Sequence, residues 1–394
     1  MNVLNFGWRN LSHSFCMVNQ FQLVAMLERS GLTVHHQDLP MYRPEWNSQK
    51  NPAGFPDQWQ RAIDSLPPQD REKTYDFSFS IGYPFFQKPS PLASRFHVAY
   101  AITELGLTDA AIVAPKNSQA LVRSLDETQI VVTPSEWSRQ KIVRFGIPEQ
   151  KVRLVPHGVD GRLFSPIHAS DRQALRARLG INPEDFCILN IGATTWNKGI
   201  EPLIRAFVIL RRKYSHLRLI LKDHSSLYGI TAHAPLLNVF TEMGCHNDAD
   251  MLASVRLASK DFALEQLRGL YSAADCYVSS YRAEGFNLPV LEAMACGIPV
   301  LATAGGATDD FVHNPSARIA ARQVPNTEIP EEELRKVANL NEYHLEPELD
   351  DLVAKLEQRI ALGSIAAPDQ QLSAWALENF SWHKAVDQLL ALPN

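Results

Sequence analysis

Short apolar runs and longer mixed segments alternate along most of this chain. Residues 2–7 form a strand-like apolar run, residues 14–30 have the spacing of an amphipathic helix closing at Gly31, and LTVHHQD returns to strand. Strand, helix and strand in that order predict a parallel sheet covered by helices. Pro-rich, polar residues 40–69 interrupt the series as an irregular or partly helical insertion. Strand patterns resume at residues 75–82, 96–104, 130–133 and 152–155. Turn residues at Pro156-His157-Gly158-Val159-Asp160 and at Pro166 then break the pattern and mark a hinge.

A second series starts with FCILNIGA at residue 186 and continues through a helix over 199–214 and the strand LRLILKD. Alternation goes on from Met251 through Ala274 and into DCYVSS. The expected fold class is therefore α/β, with two Rossmann-like, doubly wound parallel-sheet domains facing a central cleft. The expected domains are 1–165 and 166–372, and a helical segment over 373–394 crosses back to complete the first. Ligands of open parallel sheets bind beyond the carboxyl ends of the strands, so a cleft of this kind collects both sets of strand ends in one site.

The stretch EGFNLPVLEAMACGIPVLAT, residues 284–303, carries the sharpest chemical signal. Pro289 suits the first turn of a helix and Gly297 the residue past its end, which predicts a helix over 289–296 and a buried strand over 298–303. Glu292 then lies in a buried helix, where a carboxylate without a partner costs several kcal/mol or takes a raised pKa. Glu284 falls in the loop feeding the helix N-terminus, a place that favours an anion. The pair reads as a phosphate seat with a carboxylate on each side. The plainer alternative is a dipole-favoured glutamate and a solvated one.

Composition narrows the class. The chain has 394 residues, 45% of them hydrophobic, a net charge of −5 and a pI near 6.2, which gives no general attraction to nucleic acid. The first 165 residues carry 17 basic and 15 acidic side chains and the remainder 21 and 28, so the acidity sits in the second half. No apolar stretch approaches the ~18 residues of a spanning helix, and the chain opens directly on strand-like VLNFGW. The expectation is a cytoplasmic protein with at most peripheral membrane contact. Five dispersed cysteines read as reduced core residues, and Cys245-His246 lacks a second pair at ligand spacing, so no metal is expected.

Taken together, four segments resemble the retaining GT-B glycosyltransferases of family 4. They are the E-x7-E pattern from Glu284 to Glu292 with its extension, residues 131–166 with the P-x-G-V-D turn, IGATTWNKGIEPLIRAF from Ile191, and LRGLYSAADCYVSS from Leu267. The resemblance covers most of residues 130–310 and is weaker in the first domain. It implies transfer of a sugar from a nucleoside-diphosphate-sugar donor to a hydroxyl acceptor on a glycan, glycolipid or small molecule, with retention and without a metal or other cofactor.

On that resemblance Glu284 contacts the donor sugar at its reacting end and Glu292 holds the ribose hydroxyls. Gly285, Phe286, Asn287 and Leu288 face the diphosphate or sugar, Gly192 and Thr194 line the donor loop, and Lys198 is the phosphate cation. In the first domain Gly7 ends the first strand close to the ligand and Glu104 is a catalytic candidate at a strand end, whereas His97, early in its strand, reads as a core histidine. One departure stands out: the family places an arginine after the glycine of the donor strand, and here Ala193 follows Gly192. Arg282, Arg205 and Lys222 are the candidate replacements. Asp248-Ala249-Asp250 follows no apolar strand and reads as a helix-starting acidic turn. Two other readings share the sequence features: a nucleotide-sugar epimerase or hydrolase on the same fold, and a non-catalytic sugar-nucleotide-binding protein. No G-x-G-x-x-G follows the first strand, which argues against a dehydrogenase.

Overall fold

Strand and helix alternate as the apolar pattern requires. The computed structural model describes residues 1–43, 46, 54–89, 93–112, 121–123 and 128–393. Of the insertion expected over 40–69, residues 44–45 and 47–53 lie outside these. The chain divides into two units, one of Met1–Gly158, Val337–Asn339 and Phe380–Asn394, the other of Val159–Lys336 and Leu340–Asn379.

The first unit contains β1 (Asn2–Gly7), β2 (Thr33–Asp38), β3 (Phe77–Ile81), β4 (Gln87–Pro89), β5 (His97–Tyr100), β6 (Leu121–Arg123), β7 (Ile130–Thr133) and β8 (Val152–Leu154). Six of them form a parallel sheet in the order β2-β1-β3-β5-β7-β8, and β4 pairs antiparallel with β6. The helix Ser14–Leu27 differs from its amphipathic expectation, because every residue from Val18 to Met26 is buried. It packs on β1 and β3 and against the helices Asp57–Asp64 and Trp382–Ala391, so no face is left for water. Its polar side chains find partners inside: Asn5 donates to Asn19 (2.7 Å), Asn19 donates to the Trp8 carbonyl (3.0 Å), and Gln22 donates to the Tyr100 hydroxyl (2.5 Å). The single helix expected over 373–392 is two helices, Gln370–Asn379 and Trp382–Ala391, separated where Ser381 caps the second by accepting from the Lys384 N–H.

The second unit contains β9 (Phe186–Ile191), β10 (Leu217–Lys222), β11 (Val255–Ala258), β12 (Cys276–Ser279), β13 (Val300–Thr303), β14 (Arg318–Ile319), β15 (Ala321–Pro325) and β16 (Tyr343–Pro347). The parallel sheet has the order β11-β10-β9-β12-β13-β14. Alternate residues of β9 and β10, among them Ile188, Leu217, Leu219 and Leu221, enter a core with Leu203, Phe207, Phe240 and Leu356 from the covering helices. The antiparallel ribbon of β15 and β16 is not anticipated by the strand–helix alternation. All five cysteines are buried and free of disulfides. Among the described residues no helix is long and apolar enough to cross a membrane.

Candidate functional site

The strand order of the second unit places its topological switch between β9 and β12. From β9 the sheet winds outward through β10 and β11, and from β12 it winds the other way. A crevice opens at such a point beyond the carboxyl ends of the two strands, here bounded by residues 192–199 and 280–287.

The β9 side is built around two glycines. A Cβ on Gly192 would meet no heavy atom within 4 Å, so the chain leaves open space there. After it, Trp196–Lys198 forms a short turn that ends at Gly199 in the left-handed region (φ 60°). A Cβ on Gly199 would lie 1.8 Å from the Ser280 carbonyl oxygen, so only glycine permits the two loops to meet. They are clamped together by the N–H groups of Arg282 (2.8 Å) and Ala283 (3.1 Å), which donate to the Asn197 carbonyl, and by the Ser280 hydroxyl, which donates to the Gly199 carbonyl (2.7 Å). The clamp sets Lys198 Nζ 2.9 Å from Glu284 Oε2, as an ion pair that is mostly buried. The Thr194 hydroxyl is buried nearby without a hydrogen-bond partner among the described residues.

The β12 side ends in the helix Leu288–Ala295. Asn287 enters it in the left-handed conformation (φ 77°) and donates from its side chain to the Ser279 hydroxyl (2.9 Å), while Pro289 sits in the first turn. Glu284 therefore stands four residues ahead of a helix N-terminus. Gly285 is buried, the Phe286 ring packs on Phe311, and Leu288 is half-buried. Glu292 as a whole is half-buried, but its carboxyl is enclosed: burial pushes its pKa up to about 7, against the hydrogen bond from the Tyr271 hydroxyl to Oε2 (2.6 Å). Burial and the Glu292 charge together keep the Tyr271 phenol protonated, its pKa well above the ordinary value. Sequence reading passed over Tyr271; it stands in LRGLYSAADCYVSS, 21 residues from its partner.

The structure thus brings Lys198, Glu284, Glu292, Gly192, Thr194 and the 285–288 backbone to one end of one sheet. Gly7 and Glu104 belong to the first unit. A Cβ on Gly7 would meet the Asn19 amide at 2.5 Å, so glycine is required there by internal packing. The strand expected over 96–104 is shorter, ending at Tyr100, because the chain turns away after β5. Glu104 is half-buried in the following loop, and its carbonyl accepts from the Trp137 indole (2.9 Å). His97 is a buried strand residue whose Nδ1 lies 2.9 Å from the Ser78 hydroxyl. Asp248 caps the helix Ala249–Ala253 by accepting from the Met251 N–H (3.0 Å).

The three cations weighed against Ala193 differ sharply. Arg282 is buried and held by Glu346 (2.7 Å), Glu201 (3.1 Å) and the Trp196 carbonyl (2.9 Å). Arg205 pairs with Glu242 at the surface. Lys222 is buried at the carboxyl end of β10. Beside it the pKa of His224 is lowered to about 4, by burial first and then by the Lys222 charge, with Lys198 contributing as well.

Comparison with known proteins bears on the fold and on the stretch that holds these loops. Residues 171–344 match the family described as glycosyl transferases group 1. The chain is 27% identical over 228 residues to the D-inositol 3-phosphate glycosyltransferase of Rhodococcus jostii, a match covering 57% of this chain and 48% of that protein. The chain spans about half the length of the curated relatives it first matches. Among solved structures, Anabaena HepE in complex with UDP and glucose superposes with a TM-score of 0.61 at 15% identity, over 100% of this chain and 99% of that one. Sucrose-phosphate synthase from Thermosynechococcus elongatus gives a TM-score of 0.62 at 18% identity, over 100% and 98%. The chain has the two-domain α/β GT-B fold, and its stretch 171–344 is the part that matches glycosyl transferases group 1.

Proposed function

We propose that this protein is a retaining glycosyltransferase that moves a sugar from a nucleoside-diphosphate-sugar donor to a hydroxyl acceptor. The observation that carries the reading is the Lys198–Glu284 pair at the switch point, directly ahead of the helix Leu288–Ala295. A diphosphate entering there gains the ammonium and the helix N-terminus, and Glu284 is released towards the sugar hydroxyls. Glu292 accepts the two ribose hydroxyls, each charged hydrogen bond contributing about 1.5–3 kcal/mol. As the glycosidic bond breaks, negative charge grows on the distal phosphate, where Lys198 and the helix N-terminus stabilise it. The departing phosphate oxygen takes the acceptor proton on the same face, which retains the anomeric configuration. The reading asks for no metal ion, since these groups carry the charge. Support comes from the family match and from the HepE neighbour, whose structure holds UDP and glucose. We take the acceptor to be a sugar or polyol hydroxyl, free or on a glycan or glycolipid, and the protein to act in the cytoplasm.

The test is Glu284→Ala. Its removal takes one carboxylate away from Lys198 and leaves the ammonium in place, so affinity for the nucleoside diphosphate should equal or exceed that of the wild type. Transfer should drop at least roughly tenfold, about 1.4 kcal/mol of transition-state stabilisation. Transfer at the wild-type rate in the folded variant would sink the assignment. Release of free sugar at the same rate with and without acceptor would favour a hydrolase.

A further inference from the structure

We infer that Lys222 is the second diphosphate-binding cation of the site, occupying the role that the family pattern gives to an arginine at position 193. The inference rests on the reading of the site as a nucleoside-diphosphate site and goes beyond it by naming the residue that completes the charge clamp.

Position is the first ground. Lys222 is the last residue of β10 and lies in register with Ile191, and its carbonyl accepts from the Gly192 N–H (3.0 Å). It therefore stands beside the open end of β9, next to Ala193. Leu217, Leu219 and Leu221 point into the core on one face of the sheet, so Lys222 projects from the other. Tyr277 projects from that same face, packs against Tyr271 (5.8 Å between centroids), and so connects it to Glu292.

Unsatisfied charge is the second ground. Lys222 is only 3% exposed. Its ammonium can donate three hydrogen bonds, yet it has the carbonyl of Asp223 and the face of Phe262 at 5.5 Å. Among the described residues no carboxylate forms an ion pair with it. The carboxylate of its chain neighbour Asp223 accepts instead from the N–H groups of Ser225 (3.2 Å) and Ala232 (3.0 Å) and the Ser259 hydroxyl (2.8 Å). Burial lowers the ammonium's pKa, with Asp223 and Asp261 opposing. Arg172 and Arg176, equally buried in this unit, both rest on Asp275 (2.7 and 2.9 Å). A buried cation that no carboxylate hydrogen-bonds is costly to keep, and the phosphate of a ligand would complete its partners. Arg282 and Arg205 are already held by carboxylates, which leaves Lys222 as the cation of the three that a diphosphate would satisfy.

The experiment is calorimetric titration with UDP and GDP, followed by the monophosphate and nucleoside of whichever binds the wild type more tightly. Lys222→Met should weaken the diphosphate at least tenfold while leaving the nucleoside within threefold. Adding Ala193→Arg to that variant should recover most of the loss. Wild-type binding with an unchanged Lys222→Met would overturn the inference and leave the nucleotide reading standing, as would equal loss of diphosphate and nucleoside. Absence of nucleotide binding by the wild type would overturn both. If Lys222→Met fails to fold, Ala193→Arg in the wild-type background decides: with Lys222 already in the role, diphosphate affinity should stay within threefold, and a gain of tenfold or more would end the proposal.

Discussion

The two sheets are wound alike and finished differently at their switch points. In the first unit the order turns between β1 and β3, and the crevice there is filled by the chain itself. Asn19 presses on Gly7, the Trp8 ring packs against His13, Phe15 and Trp46, and Asn10 is hydrogen-bonded to Gln20, Gln60 and Asp64. In the second unit the same place is left open over Gly192, with a buried ammonium and a Thr194 hydroxyl that has no hydrogen-bond partner among the described residues at its edge. The difference teaches that the fold alone does not mark a ligand site. What separates the two is open space at the strand end with a buried ammonium beside it that no carboxylate of the described residues hydrogen-bonds, since buried polar atoms without partners occur in both units.

The largest effect should come from the charge at the open switch point. Lys198→Ala is expected to abolish detectable transfer. It should weaken the nucleoside diphosphate by about 10- to 150-fold, the range of one charged hydrogen bond, and the monophosphate far less. Normal turnover in this variant would mean that the phosphate seat is built elsewhere.

A paired substitution breaks the comparison in two directions. Gly7→Ala forces a Cβ into the Asn19 amide and should cost about 1–3 kcal/mol of stability by thermal or urea unfolding, with nucleotide affinity unchanged once folded. Gly192→Ala brings its Cβ within 4 Å of no heavy atom of the described residues beyond its chain neighbours, so its stability should stay within about 0.5 kcal/mol of the wild type. On the proposed reading its methyl group enters the donor's space, and nucleotide affinity should fall several-fold. Identical behaviour of the two variants would erase the distinction between the closed crevice and the open one.

The last effect concerns pH. Burial raises the pKa of the Glu292 carboxyl to about 7, and on the proposed reading the form that accepts ribose hydroxyls is the carboxylate. Nucleoside affinity should therefore be nearly full at pH 8, about half of that at pH 7, and about fivefold lower again at pH 6, following the ionised fraction of a group titrating there. A nucleoside without phosphate keeps ligand titration out of the measurement. Glu292→Gln should flatten the profile, and a flat wild-type profile would remove the ribose contact.

Much of this arrangement is legible in the sequence because its signals are local. The runs at Asn2–Gly7 and Ile130–Thr133 are bounded by the turns that end them, and Pro289 and Gly297 bracket the helix Leu288–Ala295 within a residue. Lys198 and Glu284 were readable as site residues one at a time, but not as a pair, because the loops that join them are 86 residues apart. The same distance problem hides Tyr271 from Glu292. It also made Ser14–Leu27 look half-exposed: Asn19, Gln20 and Gln22 read as a wet face, and their partners on β1, the following loop and β5 carry no sequence signal. The cations that compete for the place of the missing arginine were likewise indistinguishable until their carboxylate partners could be counted.

The break between the last two helices has a consequence for synthesis. Phe21 of the helix Ser14–Leu27 stacks on Trp382 at 5.1 Å, and a Cβ on Gly158 would strike the Trp382 backbone at 2.2 Å, so the space around the first unit is shaped for a segment more than two hundred residues downstream. A ribosome delivers Met1–Gly158 long before it delivers Trp382–Ala391. The early half must wait, with the apolar side of its first helix uncovered, while the intervening unit emerges and folds. A nascent chain arrested after residue 379 should expose Phe21 to protease and chaperone, and release of the final helix should close that face.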